Sequence, residues 1–311
     1  MTKLENSHPL DESGNSKYKL AVLEQTAINF FLKLAAYISI FVTAGIVLIL
    51  LTETLGFFKE VSFSEFFFGT KWTPLFSPRH FGVLPIVWGT ILVSAGACLV
   101  SVPLGLSVAF YLSEYASPRA RKFVKPLVEI LAGIPSVVFG YFALIVITPL
   151  IRTFIPQTEV FNALSASIVV GIMTLPLISS LSDDAFRAVP RSLKEAGYAL
   201  GATKLEVCYK VILPASSSGV IASIILAFSR AIGETMAVTL AAGATPKLTL
   251  NFLESIQTMT AYVVQVSLGD TPHGSIEYKS LFAVAFVLFI MTLIVNMAAQ
   301  WVVKRTARNY Q

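Results

Sequence analysis

The sequence predicts an all-α polytopic membrane protein with six transmembrane helices. Hydrophobic residues make up 55% of the 311-residue chain and charged residues only 13%, whereas soluble globular domains carry about 25% charged residues. The mean hydropathy is +0.74. Six apolar runs each approach the roughly 20 residues that a helix needs to cross the hydrocarbon core of a bilayer. This composition excludes a disordered chain, and two cysteines are too few for a disulfide scaffold.

The six spans follow from the apolar runs and the polar segments between them. Helices are expected because a segment in lipid must satisfy its own backbone hydrogen bonds. The predicted spans cover residues 30–51, 89–112, 127–150, 164–181, 219–242 and 281–303. The chain then comprises a tail (1–29), the first helix (30–51), an outer loop (52–88), a five-helix transmembrane domain (89–303) with a long connection at 183–214, and a second tail (304–311). The first apolar run is too late and too long for a cleaved signal peptide, so we expect it to be retained.

The distribution of positive charge predicts the orientation. Of the 23 Lys and Arg residues, 15 lie in the two tails and in the second-to-third and fourth-to-fifth connections, and six lie in the other connections. Positive residues concentrate on the cytoplasmic side, so both tails and the 183–214 connection are predicted to be cytoplasmic. No domain-sized polar segment is available for a nucleic-acid surface. The three histidines lack metal-ligand spacing, and no metal site is expected.

The sequence lacks the common catalytic signatures. It contains no G-x-x-x-x-G-K-[ST] phosphate cradle, no H-E-x-x-H and no G-x-S-x-G. We therefore expect no enzyme activity in this chain. If ATP drives the protein, a separate subunit must hydrolyse it.

The 183–214 connection predicts two short helices that meet at an angle. Pro190 suits a helix start because its missing N–H is not needed there, and Gly201 suits the left-handed turn that ends the helix. Thr203 and Glu206 have the spacing of a capping box and announce a second helix. Two bent helices beside a membrane form a surface on which a partner can dock.

This connection resembles the EAA motif of ABC-importer permeases, E-A-A-x3-G-x9-I-x-L-P. The matching residues are Glu195, Ala196, Gly197, Gly201, Leu213 and Pro214. Gly197 stands where the motif has its second Ala and Val211 where it has Ile, and both spacings agree. The resemblance implies a type I ABC-importer permease fold, with this segment as the coupling helix that binds a cytoplasmic ATPase. The alternative is an ordinary amphipathic interfacial helix.

Two ionisable residues, Arg230 and Glu234, lie within the fifth span. An Arg at mid-bilayer costs about 2.5–3.5 kcal/mol on insertion scales, so such residues face a bundle interior or a water-filled cavity. Their i, i+4 spacing predicts one helix face. Either the two form a structural ion pair, or Arg230 binds an oxyanion and Glu234 orients it or accepts a proton. Ser229 and Thr235 add hydroxyl donors nearby.

Prolines interrupt three further spans. Pro103 and Pro176 lie in the second and fourth spans, and Pro135 lies in the third, where Gly133 and Ser136 flank it. Each proline removes a backbone hydrogen bond and permits a kink. Freed backbone groups are tolerated where they line a cavity, so Pro135 and Ser136 either line a pathway or mark a packing kink.

Further segments are similar to PstC-type permeases of bacterial phosphate importers. They are Phe68–Pro74, Phe81–Pro85, Trp88–Thr90, Tyr111–Tyr115, Glu129–Val138 and Ser229–Val238. The resemblance implies a multi-pass subunit of the bacterial inner membrane, with residues 52–88 in the periplasm. It implies a PstA-type sister permease, two PstB-type ATPases that bind ATP and Mg, a periplasmic PstS-type phosphate-binding protein, and no cofactor in this chain.

The resemblance also implicates Arg230 and Glu234 in phosphate passage. An ABC permease for molybdate or sulfate is the nearest alternative. An ATP-independent carrier is a further one, although no clear inverted repeat is visible. A membrane anchor without transport would leave Arg230 and Glu234 without a role.

Overall fold

The computed structural model describes residues 12–308, with side chains for residue 25 and residues 28–305. The helices are α1 (Glu12–Phe57), α2 (Phe63–Phe68), α3 (Leu84–Phe110), α4 (Pro118–Gly133), α5 (Ser136–Phe142), α6 (Thr148–Phe154), α7 (Ala163–Ala188), α8 (Arg191–Ala199), α9 (Lys204–Val207), α10 (Leu213–Ala215), α11 (Ser217–Ile232), α12 (Met236–Ala241), α13 (Met259–Leu268) and α14 (Ile276–Arg308). Single π-helical turns follow α3, α5 and α9 at Tyr111–Tyr115, Ala143–Ile147 and Cys208–Ile212. The all-α fold class is confirmed, since the described residues contain only one isolated β-bridge.

The chain divides into two compact units, Met1–Thr52 and Glu53–Gln311. In the first unit, none of the described side chains is buried, and large apolar ones such as Phe30 and Phe41 are exposed. An apolar, fully exposed helix suits a lipid environment. The helix begins at Glu12, so the polar segment before the predicted first span continues that helix over residues 12–29.

The second unit is built around α3 and α7, which pack along most of their length. Glycines allow the close approach. A Cβ at Gly96 would collide with the Ser167 hydroxyl, and one at Gly171 would lie 2.9 Å from the Ala97 carbonyl. Small residues at such contacts are typical of membrane helices, where packing replaces the hydrophobic effect as the driving force. α5 and α12 complete this core.

The predicted third span is wrong in its position. Residues 127–150 do not form one helix, because α4 ends at Gly133 and Ile134 is extended with ψ 128°. Pro135 imposes this conformation on the residue before it. The crossing segment is Ser136–Phe154, and the amphipathic α4 is separate from it.

The predicted fifth span is also broken. The segment Lys204–Ala215 meets α11 at an angle of 77°, and α11 ends at Ile232 rather than continuing to 242. α12 follows after three non-helical residues, because Gly233 favours a helix end and the Glu234 carboxylate bonds to the first turn of α12. Among residues 12–308, five helices are long and apolar enough to cross a membrane, and the number is six if the bent pair counts as one span.

The loop at 52–88, α13 and the start of α14 form a second core that no pattern in the sequence predicted. Trp72 is 2% exposed and packs edge-on against Tyr262 of α13, with ring centroids 4.8 Å apart. Phe57, Phe66 and Phe81 surround it. The loop at 52–88 and the connection before α14 are therefore ordered against each other.

Candidate functional site

Arg230 lies in the last turn of α11 and is exposed on the surface of the second unit. Its position at a helix C-terminus favours a positive charge. Among the side chains that the structure describes, at residue 25 and residues 28–305, it forms no ion pair and no side-chain hydrogen bond. A guanidinium within an apolar span is therefore left open to a ligand or to another chain.

Glu234 does not share a helix face with Arg230, and the predicted i, i+4 relation is wrong. The helix ends between the two residues, so Glu234 is turned toward α12, where its Oε1 accepts from the backbone N of Ala237 at 3.2 Å. Its carbonyl oxygen accepts from the Thr260 hydroxyl at 2.7 Å. The Glu234 carboxylate is half-buried and caps α12, and it does not form a structural ion pair with Arg230.

Ser229 and Thr235 already have hydrogen-bond partners. The Ser229 hydroxyl donates to Oδ1 of Asn296 on α14 at 2.9 Å, and the Thr235 hydroxyl donates to the Gly233 carbonyl at 3.2 Å. They stabilise the end of α11. The sequence analysis missed Asn296, although an amide in the middle of the apolar run at 281–303 is a signal of this kind.

The helix break at Pro135 and Ser136 lies near the break after α11, because the helices that follow the two breaks, α5 and α12, pack against each other. Pro135 is exposed and Ser136 is half-buried at the start of α5. α5 packs against α12 so closely that a Cβ at Gly140 would lie 3.0 Å from the Cα of Ala237. The structure thus brings together the two short helices that follow the two breaks.

The coupling loop, residues 190–215, has the two bent helices that the sequence predicts. α8 follows Pro190, and Gly201 takes the left-handed conformation with φ +81°. The capping box of Thr203 and Glu206 is complete. Hydrogen bonds from the Thr203 backbone, and then from Lys210 and the Thr203 hydroxyl, lower the pKa of Glu206 to about 2.

The motif residues divide into an exposed and a packed group. Glu195 and Ala196 are exposed on α8, and Leu213 and Pro214 are half-buried in α10. Gly197 is buried because α8 approaches α9 there, and a Cβ at this position would lie 3.1 Å from Cγ2 of Val207. This close contact explains why a glycine, Gly197, occupies the third position of the motif.

The coupling loop is tied to the membrane helices through pairs that sequence reasoning missed. Lys194 Nζ lies 2.6 Å from Oε1 of Glu114, and both side chains are largely buried. Lys204 lies over the ring of Tyr115 at 4.6 Å. Glu114 and Tyr115 form part of the π-helical turn after α3, so the loop contacts the end of that helix through two side chains.

A second ion cluster holds α4 against α7. Asp183 has no exposed surface and accepts two hydrogen bonds from Arg121 at 2.8 and 2.6 Å, with Lys125 at 3.3 Å. The hydrogen bond to Asp183 raises the pKa of Arg121. In the sequence these residues resemble ordinary loop charges. Arg121 and Asp183 are 62 residues apart, and no local pattern indicates that they pair.

Sequence comparison relates this chain to known membrane components of transport systems. The family described as "Binding-protein-dependent transport system inner membrane component" matches residues 101–308. The probable ABC transporter permease protein YqgH of Bacillus subtilis is 35% identical over 234 residues, which cover 75% of each chain. The phosphate transport system permease protein PstC of Xylella fastidiosa is 35% identical over 266 residues, covering 78% of this chain and 80% of that protein.

A solved structure has the same fold. A chain of a bacterial alginate ABC transporter, crystallised with an alginate-bound periplasmic protein, matches with a TM-score of 0.59 at 14% identity. The match covers 96% of this chain and 98% of that one.

Proposed function

Because this chain belongs to the family of binding-protein-dependent transport system inner membrane components, we propose that it is the permease subunit of an ATP-driven importer of inorganic phosphate. The relatives named for phosphate transport support this substrate. The single observation that carries the proposal is the exposed, unpaired guanidinium of Arg230 within an apolar span.

The chemistry at Arg230 suits an oxyanion that must be released again. Its planar fork donates two parallel hydrogen bonds to a phosphate group. Permeation requires binding that is strong enough for entry and weak enough for exit. Glu234, four residues away beyond the helix break, supplies a negative charge that limits how firmly the anion is held. Pro135 and Ser136, at the second break, extend the pathway, and Ser229 and Thr235 stabilise its wall.

The coupling loop suits an ATPase partner. Leu193, Leu200 and Leu205 are exposed on it, and Leu200 is 89% exposed. An exposed apolar patch of this kind marks a protein interface. The motif residues Glu195, Ala196, Gly197, Gly201, Leu213 and Pro214 then shape the surface that the ATPase engages. ATP and Mg are bound there by the partner and not by this chain.

The family supports a transporter of several subunits. It pairs this chain with a PstA-type sister permease, two PstB-type ATPases and a periplasmic PstS-type phosphate-binding protein. The complex lies in the bacterial inner membrane with both tails of this chain in the cytoplasm. Molybdate or sulfate is the nearest alternative substrate, since an Arg fork also binds those anions. An ATP-independent carrier would have no use for the coupling loop, and a membrane anchor would leave Arg230 and Glu234 without a role.

The test is ATP-dependent phosphate uptake by the co-purified complex in proteoliposomes, with sulfate and molybdate as competitors. Arg230→Gln should abolish uptake while the complex still assembles. Arg152→Gln is the matched control, because Arg152 is also an exposed arginine near a helix end. Wild-type uptake by Arg230→Gln would refute the assignment of Arg230, and stronger competition by molybdate or sulfate than by phosphate would refute the substrate.

A further inference from the structure

A cationic cleft lies at the end of the helix bundle that carries the coupling loop. Its volume is about 500 Å³, and it is bounded by the π-helical turn after α3, the start of α4, the end of α7 and the start of α8. Arg230 is not among its lining residues. Its charged lining comprises Glu114, Arg121, Arg187, Arg191 and Lys194.

Two of the four cations are held in place by buried partners. Asp183 fixes Arg121 through a bidentate contact, and Glu114 fixes Lys194 at 2.6 Å. The side chains of Arg121 and Lys194 are 20% and 17% exposed. Arg121 and Lys194 are therefore fixed at the wall of the cleft, where Nη1 and Nη2 of Arg121 already donate to Asp183 and to the Leu112 carbonyl. The donors open to an anion are those of the other two cations.

The other two cations have no partner in the part of the chain that the structure describes. Arg187 lies in the last turn of α7 and Arg191 begins α8, and both are exposed. Their guanidinium groups flank one cleft across the short link that contains Pro190. Two like charges in one cleft repel each other, and an oxyanion between them removes that repulsion while using both forks.

Charge and size indicate the class of ligand. Four positive charges face two negative ones, those of Glu114 and Asp183, so the cleft has an excess of two positive charges. A phosphate group with a second ionisation carries about −1.5 to −2 near neutral pH, and the phosphodiester of an anionic phospholipid carries one negative charge, so either is attracted by this excess. Small-molecule sites occupy about 300–1,000 Å³, so a cleft of this size also has room for a substituent on the phosphate.

We propose that this cleft is a phosphate-group binding site, separate from the transport pathway, that joins α7 to α8. Its ligand is either free inorganic phosphate or the headgroup of an anionic phospholipid. A bound phosphate group bridges Arg187 and Arg191 and so restrains the coupling loop relative to the membrane helices. The assignment goes beyond the transport function and does not depend on which anion is transported.

The experiment measures binding to the membrane complex of permeases and ATPases in nanodiscs, without the periplasmic binding protein, which would itself bind phosphate. In one arm the discs contain only zwitterionic phosphatidylcholine, and binding of radiolabelled inorganic phosphate is measured. In the other arm the discs contain phosphatidylglycerol without free phosphate, and lipid retained by the complex is measured by native mass spectrometry. Both arms use an Arg230→Gln background, so that phosphate bound in the proposed pathway does not contribute.

The test variant is Arg187→Gln combined with Arg191→Gln, whose side chains are exposed and carry no internal contact that folding requires. The control is Arg119→Gln, an exposed arginine on α4 that does not line the cleft. We expect the double variant to bind one of the two ligands at least tenfold more weakly, while the control binds as the parent does. The arm that shows the loss identifies the source of the phosphate group.

Three results would overturn the site. The parent complex could bind neither ligand, the double variant could bind both as tightly as the parent, or the Arg119→Gln control could lose as much binding as the double variant. The last result would mean that general surface charge, and not the cleft, attracts the anion. Because the pathway arginine is absent throughout, none of these results depends on whether Arg230 handles the transported substrate.

Discussion

Removing the Arg121 guanidinium should release α4 from the helix bundle. No side chain of α4 is buried, so this helix has little apolar packing to hold it. Asp183 is completely buried and is paired with Arg121 at 2.6 Å and with Lys125 at 3.3 Å. In Arg121→Met the buried carboxylate keeps only the longer contact.

The magnitude follows from the burial of Asp183. Removing one partner of a buried ion pair costs about 3–5 kcal/mol, because it leaves an uncompensated charge. Since Lys125 remains, we expect the lower end, about 3 kcal/mol. At 1.36 kcal/mol per factor of ten, this raises the local opening of α4 by about 100-fold. Asp183→Asn should have a smaller effect, since the partly exposed Arg121 can turn to water.

Hydrogen–deuterium exchange with mass spectrometry measures this opening. Amides of residues 118–133 should exchange faster in Arg121→Met, while those in the centre of α7 should be unchanged. The matched control is Lys122→Met, which removes an exposed cation of the same helix. The reasoning is refuted if α4 exchanges at the wild-type rate in Arg121→Met, or equally fast in both variants.

Three further predictions concern glycines and a carboxylate. Gly140→Ala should destabilise the complex by about 1–3 kcal/mol through overpacking against the α12 backbone. Gly133→Ala is the control, because the space around Gly133 is open. Equal falls in the melting temperature of the two variants would contradict this prediction. Gly201→Ala should destabilise the coupling loop by about 1–2 kcal/mol, because its φ is +81°; ATPase binding measured by co-purification should fall, and an unchanged yield would argue against it. Glu206 has a pKa of about 2, lowered from the ordinary 4.5 of a glutamate. Its carboxylate should therefore stabilise the helix cap fully above pH 4.5 and lose this effect as the pH falls through 2. The titration of the Glu206 carboxyl carbon, followed by NMR, should have its midpoint near this pKa, and Lys210→Met should raise the midpoint. A wild-type midpoint above pH 4 would contradict the prediction.

Features with a local physical cause could be read from the sequence. The long apolar runs predict six spans, because span length is set by bilayer thickness. The coupling loop was predicted in detail, since Pro190, Gly201 and the capping box of Thr203 and Glu206 act within one helical turn. The sequence also singled out Arg230, because a charge in an apolar span is costly wherever the chain goes.

The geometry between distant residues could not be read in this way. The fifth span looked like one helix, so Arg230 and Glu234 were placed on one face. Local propensity at Gly233 was too weak a signal to locate the break. The third span was misplaced for a similar reason, since Pro135 is tolerated inside some membrane helices but ends this one.

The sequence by itself determined the class of protein, the bent helices of the coupling loop and a charged residue within a span, Arg230, that has to be explained. Only the tertiary structure decided that Arg230 stands free while Glu234 caps α12, and that Asp183 gathers Arg121 and Lys125. The physical reason is that hydropathy and capping act over a few neighbouring residues. The pairing of charges depends instead on which helices meet, and that is settled by packing across the whole bundle.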